Sequence, residues 1–159
     1  MSNAISPRPR AIGVTKRHFP IVASQFNQVY VQGLVDHFTV ELRSLAPVAT
    51  LALHQVPGAF EIPVVVRELA SQKRGDAIIA IGVILQGETN HAENLSRSVT
   101  DALQRIAVSH GTPIINVVLS FDDENQARAR CLEDEINRGT EAARAAVEIA
   151  NVISKLRNK

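Results

Sequence analysis

The stretch Asp76 to Leu85, DAIIAIGVIL, is apolar almost throughout and shows no alternation. A strand with one face in water alternates apolar and polar side chains, so a strand without alternation is covered on both faces. Covering both faces takes a layer of helices on each side, the arrangement of parallel strands joined by helical crossovers. A chain built around this run is therefore expected to be a sandwich of helix, sheet and helix.

The rest of the sequence fits that expectation. His18 to Ser24 reads as a strand. From Gln28 to Leu42, Val31, Leu34, Val35, Phe38 and Leu42 recur at helical spacing. Val48 to His54 reads as a second strand, broken by Pro57-Gly58. An apolar helix follows from Phe60 to Leu69, with Pro63 tolerated in its first turn. After Asp76 to Leu85, a long helix turns Leu95, Val99, Leu103 and Ile106 inward and is closed by His110-Gly111-Thr112-Pro113. Ile114 to Leu119 is another buried strand. Phe121 to Leu132 reads as a short polar helix, and a last helix after Gly139 carries Ala142, Ala146, Ile149 and Ile153 in register. The order β-α-β-α-β-α-β-α-α implies one domain with a mainly parallel central sheet. Residues 1–10 form a leader, disordered or extended, and 11–159 the domain.

Composition narrows the function classes. The chain has 159 residues, 45% of them hydrophobic and only 4% aromatic, so Val, Ile, Leu and Ala must build the core. That favours helices on a buried sheet over an aromatic-rich small barrel. A net charge of +1 provides no field of one sign for a nucleic-acid backbone or an anionic membrane. The one basic cluster, Arg8, Arg10, Lys16 and Arg17, is interrupted by Pro7 and Pro9 and reads as a solvated leader. No apolar run approaches the roughly 20 residues that span a bilayer. Lone Cys131 has no disulfide partner, reads as a packing residue and points to a reducing, cytoplasmic setting. His18, His37, His54 and His110 lack metal-ligand spacing and read as surface or capping histidines, so no metal is expected.

Ligands of open parallel sheets lie beyond the carboxyl ends of the strands. Four loops qualify: Gln25 to Gln28, Val56 to Glu61, Gln86 to His91 and Ser120 to Glu124. In the third, Gly87 can adopt positive φ, and Asn90 with Glu93 has the spacing of a capping box. The free amides of that first helical turn suit a phosphate, and His91, in the same turn, can exchange protons near neutral pH. Taken alone, the turn reads first as an ordinary helix cap beside an exposed histidine. In the second loop, Glu61 either complements a helix dipole or accepts from ligand hydroxyls, and Phe60 reads as core. Phe26, beyond the first strand, is either core or a platform for a planar heterocycle. Walker, dinucleotide-binding and GxSxG motifs are absent.

Two segments combine these signals. VPGAFEIP at Val56 to Pro63 and GVILQGETNHAEN at Gly82 to Asn94 resemble the signature segments of lumazine synthases, with Phe26-Asn27, Pro113 to Leu119, Arg130 and Gly139-x-Glu141 in matching order. The resemblance spans Val22 to Ile153. It implies a flavodoxin-like sheet and the condensation of 5-amino-6-(D-ribitylamino)uracil with 3,4-dihydroxy-2-butanone 4-phosphate, without a cofactor. By the same resemblance, Phe26 stacks on the pyrimidine, Ala59, Phe60 and Glu61 hold the ribityl chain, and the backbone of Val83, Ile84 and Leu85 meets the uracil edge. Glu88, Thr89 and Arg130 bind the phosphate and His91 transfers protons. Asn27, Arg138 and Glu141 support them, with Glu141 either orienting His91 or pairing with Arg130.

The resemblance also implies a homo-oligomer of pentamers, with Ala11 to Val14 joining a neighbour's sheet and riboflavin synthase as a partner in the same pathway. Three positions depart from the family pattern. Gln86 stands where many members have Arg, and Arg138 where they have Lys. Asn116 stands where Phe commonly packs over the pyrimidine from a neighbouring subunit. Gln86 and Asn116 motivate an alternative reading, a non-catalytic flavin- or lumazine-binding relative. A flavodoxin-like regulatory domain is disfavoured, because Gln25-Phe26-Asn27 stands where its phosphoacceptor Asp would be.

Overall fold

The computed structural model describes residues 1–11 and 15–158. Its elements follow the expected order: β1 (His18–Ser24), α1 (Gln28–Leu45), β2 (Thr50–Val56), a 3₁₀ turn (Ala59–Glu61), α2 (Ile62–Ser71), β3 (Ile78–Leu85), α3 (His91–His110), β4 (Ile114–Phe121), α4 (Glu124–Cys131) and α5 (Arg138–Arg157). The sheet order is β2-β1-β3-β4 and every pairing is parallel.

The unpatterned run becomes β3, an inner strand with β1 on one side and β4 on the other. Its side chains divide between two cores. Ile79, Ile81 and Val83 join Phe19, Phe38, Ala146 and Val147 under α1, α4 and α5. Ile78, Ala80 and Ile84 join Val22, Ile62, Val66, Val99 and Leu103 under α2 and α3. Both faces are covered by apolar side chains, which is why the run carries no polar alternation. Cys131 is fully buried in the first core. Burial pushes its thiol up to about 12, against the opposing charge of Arg130, so it is a packing residue.

Several boundaries move for local reasons. Strand β2 begins at Thr50, where its amide bonds the Arg17 carbonyl, and runs on to Val56. Strand β4 continues to Phe121 beside Leu85, and α4 starts only after Asp123 caps it through the Gln126 amide. Phe60 is not core: it is 68% exposed. In a 3₁₀ turn residues three apart share a face, so Ala59 and Ile62 point inward and Phe60 points out. His54 is half-buried on β2, with its Nε2 enclosed and without a hydrogen-bond partner among the described residues.

Residues 1–11 contain neither helix nor strand, yet Ser6 to Arg8 rest on the α1–α5 face. Ser6 Oγ donates to Glu141, and Arg8 pairs with Glu41 at 2.9 Å. Most of the segment expected to join a neighbour's sheet, residues 12–14, lies outside the described residues. None of the described helices is long and apolar enough to cross a membrane.

Candidate active site

The strand order reverses between β1 and β3, and the carboxyl ends of those two strands form the crevice where such sheets bind ligands. A cleft of about 380 Å³ occupies this place. The turn after β1 contributes Phe26 and Asn27, the 3₁₀ turn contributes Ala59, Phe60 and Glu61, and the end of β3 contributes Val83, Ile84 and Leu85. His91, the first residue of α3, closes the cleft together with Ala92 and Leu95. The chain thus brings together residues from loops far apart in sequence. Gly58, Ala92 and Leu95 went unmarked as site residues; Leu95 follows His91 by one helical turn, so helical spacing was the signal for it.

Each loop is held by its own hydrogen bonds. Gln25 N–H donates to Val56 O at 2.8 Å and Phe26 N–H to Pro57 O at 3.2 Å, tying the first turn to the second. Asn27 sits in the left-handed region at φ 55°, and its Nδ2 donates to Val83 O at 2.7 Å. Glu61 Oε2 accepts from Gly58 N–H at 2.9 Å and so closes the 3₁₀ turn. Phe26, at 71% exposed, and Phe60 stand at the rim of the cleft, where a planar ligand would find aromatic surface.

The Gln86 to His91 turn differs from expectation in two details. Gly87 is not in the positive-φ region, and a Cβ built on it meets nothing within 4 Å. Neither backbone conformation nor packing within the chain demands glycine there. Asn90 occupies the N-cap position, but its side chain makes no cap bond; Thr89 Oγ1 instead accepts from His91 N–H at 3.4 Å. Glu93 pairs with Arg97, so the capping box does not form. The amides of the first turn of α3 keep their anion-binding character.

The other expected site residues lie elsewhere on the chain. Glu88 and Thr89 are exposed in the turn before α3. Asn116 faces outward on β4, its Oδ1 accepting from Val118 N–H at 3.0 Å, and lines a separate cavity with Thr100 and Leu103. Arg130 and Arg138 belong to the α4–α5 side of the sheet. Arg130 donates to Asn3 Oδ1 at 3.0 Å, and Arg138 to the carbonyls of Ser2 and Ala4. The Nε atoms of both guanidinium groups are buried with no partner among the described residues. Glu141 pairs with Arg138 at 2.7 Å, the pairing seen in place of the two expected for it. A larger cleft of about 590 Å³ beside α3, lined by Gln86, Arg97, Ser120 and Asp122, has neither an aromatic wall nor an imidazole.

Residues 16–154 match the family model of 6,7-dimethyl-8-ribityllumazine synthase. The chain belongs to the lumazine synthase family. A 6,7-dimethyl-8-ribityllumazine synthase of Azoarcus sp. is 41% identical over 137 residues, covering 86% of this chain and 85% of the relative. That of Nitrosomonas europaea is 41% identical over 86% of this chain and 81% of its own. That of Leptothrix cholodnii is 39% identical over 86% of each. The match to the lumazine synthase family includes every loop of the Phe26–His91 cleft, together with α4 and the start of α5, where Arg130, Arg138 and Glu141 reside.

Proposed function

We propose that this chain is a 6,7-dimethyl-8-ribityllumazine synthase, a transferase that condenses 5-amino-6-(D-ribitylamino)uracil with 3,4-dihydroxy-2-butanone 4-phosphate. The observation that carries the reading is the convergence of Phe26, Glu61 and His91 on one cleft at the strand-order reversal. The pyrimidine stacks on Phe26, and the ribityl hydroxyls donate to Glu61, whose other carboxylate oxygen is committed to Gly58. Ala59 and Phe60 flank that chain. The uracil edge meets the end of β3 at Val83 to Leu85.

The chemistry consists of proton transfers around a carbon skeleton held in place. The substrate amine attacks the ketone and water leaves, forming an imine. Loss of phosphate gives an enol, which tautomerises before the ribitylamino nitrogen closes the ring with loss of water. One imidazole beside positioned reactants can serve these steps in turn, and His91 at the cleft wall takes that role. No cofactor enters this scheme. The leaving phosphate is held by the backbone amides of Glu88, Thr89 and the start of α3, and by a guanidinium fork from Arg130.

Arg130 and Asn116 lie away from the cleft of their own chain, which supports a site completed by a second copy within a pentamer. The exposed faces of Phe26 and Phe60 support the same arrangement. The assembly is then a pentamer, a decamer or a closed icosahedral shell, working in the cytoplasm upstream of riboflavin synthase. Arg138, locked with Glu141, holds the start of α5 beside Arg130. Incubating the pure protein with both substrates and following lumazine fluorescence tests the reading. Product formed well above the uncatalysed rate supports the enzyme, whereas an uncatalysed rate with tight riboflavin binding supports a non-catalytic binder.

A further inference from the structure

Asn27 breaks two local rules at once. It is a non-glycine residue at φ 55°, ψ 45°, a region that L side chains avoid but Asn tolerates better than most. It also stands at the N-cap of α1, where an Asn side chain normally accepts from the second or third amide of the helix, and it makes no such bond. Its Nδ2 instead reaches Val83 O at 2.7 Å, across from the β1–α1 turn to the end of β3. A cap residue that leaves its local partner for a distant one at the floor of a ligand cleft does something the helix alone does not require.

The consequence falls on Phe26. Its amide is held by Pro57 O at 3.2 Å, the preceding amide by Val56 O at 2.8 Å, and the following residue by Val83 O. Phe26 is thereby tied to β2 on one side and to β3 on the other, while its ring stays 71% exposed. Within its own chain, a ring with so little packing is aimed by its backbone.

We propose that Asn27 is the positioning residue for pyrimidine recognition: its bond to Val83 fixes the angle at which Phe26 covers the ring. This rests on the synthase reading above and specifies how that site selects its heterocycle. Asn27→Gly keeps the left-handed backbone without strain and loses the donor, while Asn27→Asp keeps the shape and replaces the donor with a carboxylate facing a carbonyl. For Asn27→Gly the KM for the ribitylaminouracil should rise about tenfold, the cost of one well-placed hydrogen bond. The KM for the phosphate substrate and kcat at saturation should stay within about twofold. Asn27→Asp should lose at least as much, and it serves as the test if the glycine variant does not fold.

Because Asn27 acts through Phe26, the Asn27→Gly change should add little to the KM of Phe26→Ala, a non-additive pair. A wild-type KM in both Asn27 variants, or equal rises for both substrates, overturns the proposal. Full additivity with Phe26→Ala does so as well. The wild-type protein separates the two levels: if it neither forms nor binds 6,7-dimethyl-8-ribityllumazine, the synthase reading fails; if it does both, the variants judge Asn27 alone.

Discussion

Glu61 and Gly58 are joined by a 2.9 Å hydrogen bond in which the carboxylate accepts from the backbone, so one side chain both closes the 3₁₀ turn and faces the cleft. The two duties separate by substitution. Gln at this position can still accept from Gly58 through its carbonyl oxygen but loses the charge that strengthens a bond from a ligand hydroxyl. Glu61→Gln should raise the KM for the ribityl substrate severalfold with an unchanged melting temperature. Glu61→Ala should raise it further and lower the melting temperature, because the Gly58 amide loses its partner. Equal kinetic effects of the two variants would contradict this division.

His91 and Arg130 belong to opposite faces of one sheet, and the proposed site draws them from different copies. Chains carrying His91→Ala and chains carrying Arg130→Ala should each be nearly inactive alone. Co-expressed, they should form mixed assemblies in which some sites hold both intact residues, and part of the activity should return. Activity no higher than the average of the separate variants would mean that both residues serve the same copy.

The glycines at 87 and 139 should respond in opposite ways. A Cβ on Gly139 runs into the backbone carbonyl of Leu34, where α5 crosses α1, and neither backbone yields cheaply. Gly139→Ala should cost about 1–3 kcal/mol of stability, read as a lower denaturant midpoint. A Cβ on Gly87 meets open space, so Gly87→Ala should change stability by less than about 0.5 kcal/mol. With the phosphate held at the start of α3 as proposed, its effect should appear as a higher KM for the phosphate substrate.

Glu41 ties Arg8 of the leader to Arg144 of α5, at 2.9 and 3.0 Å. Partial burial pushes its carboxyl up, but hydrogen bonds and charge from the two arginines outweigh that and hold it below 4.5. A depressed carboxyl stabilises the fold fully above its unfolded value and loses that contribution as pH falls through its folded value. Wild type should therefore lose stability more steeply than Glu41→Gln below about pH 4.5, with the difference constant near neutrality. Urea midpoints measured across that range check it; parallel curves would show that the arginines add nothing.

How much the sequence disclosed depended on where each residue faces. Strand β3 was legible because apolar neighbours cover both its sides, whereas β2 was displaced by two residues because half of it meets water and because Val48 and Ala49, which follow Pro47 in the turn from α1, are as apolar as the strand itself. Phe60 was misplaced because a 3₁₀ turn has a three-residue period that a helical pattern hides. The cleft itself was legible: Phe26, Glu61 and His91 each follow a strand end, and parallel topology gathers strand ends. The position of Arg130 was not, since spacing along one chain says nothing of which face of the sheet a later helix covers. Asn27 was visible as a residue but not as a bond, because its partner is a backbone carbonyl far along the chain.

The central claim is that the cleft closed by His91 is where lumazine is made. The most direct measurement compares the rate of lumazine formation from both substrates in wild type and His91→Ala, alongside their affinity for the product. Wild type should run far above the uncatalysed reaction, and His91→Ala should lose about 10²-fold in rate while still binding product. A wild-type rate no faster than the uncatalysed one, or a His91→Ala rate equal to wild type, would contradict it.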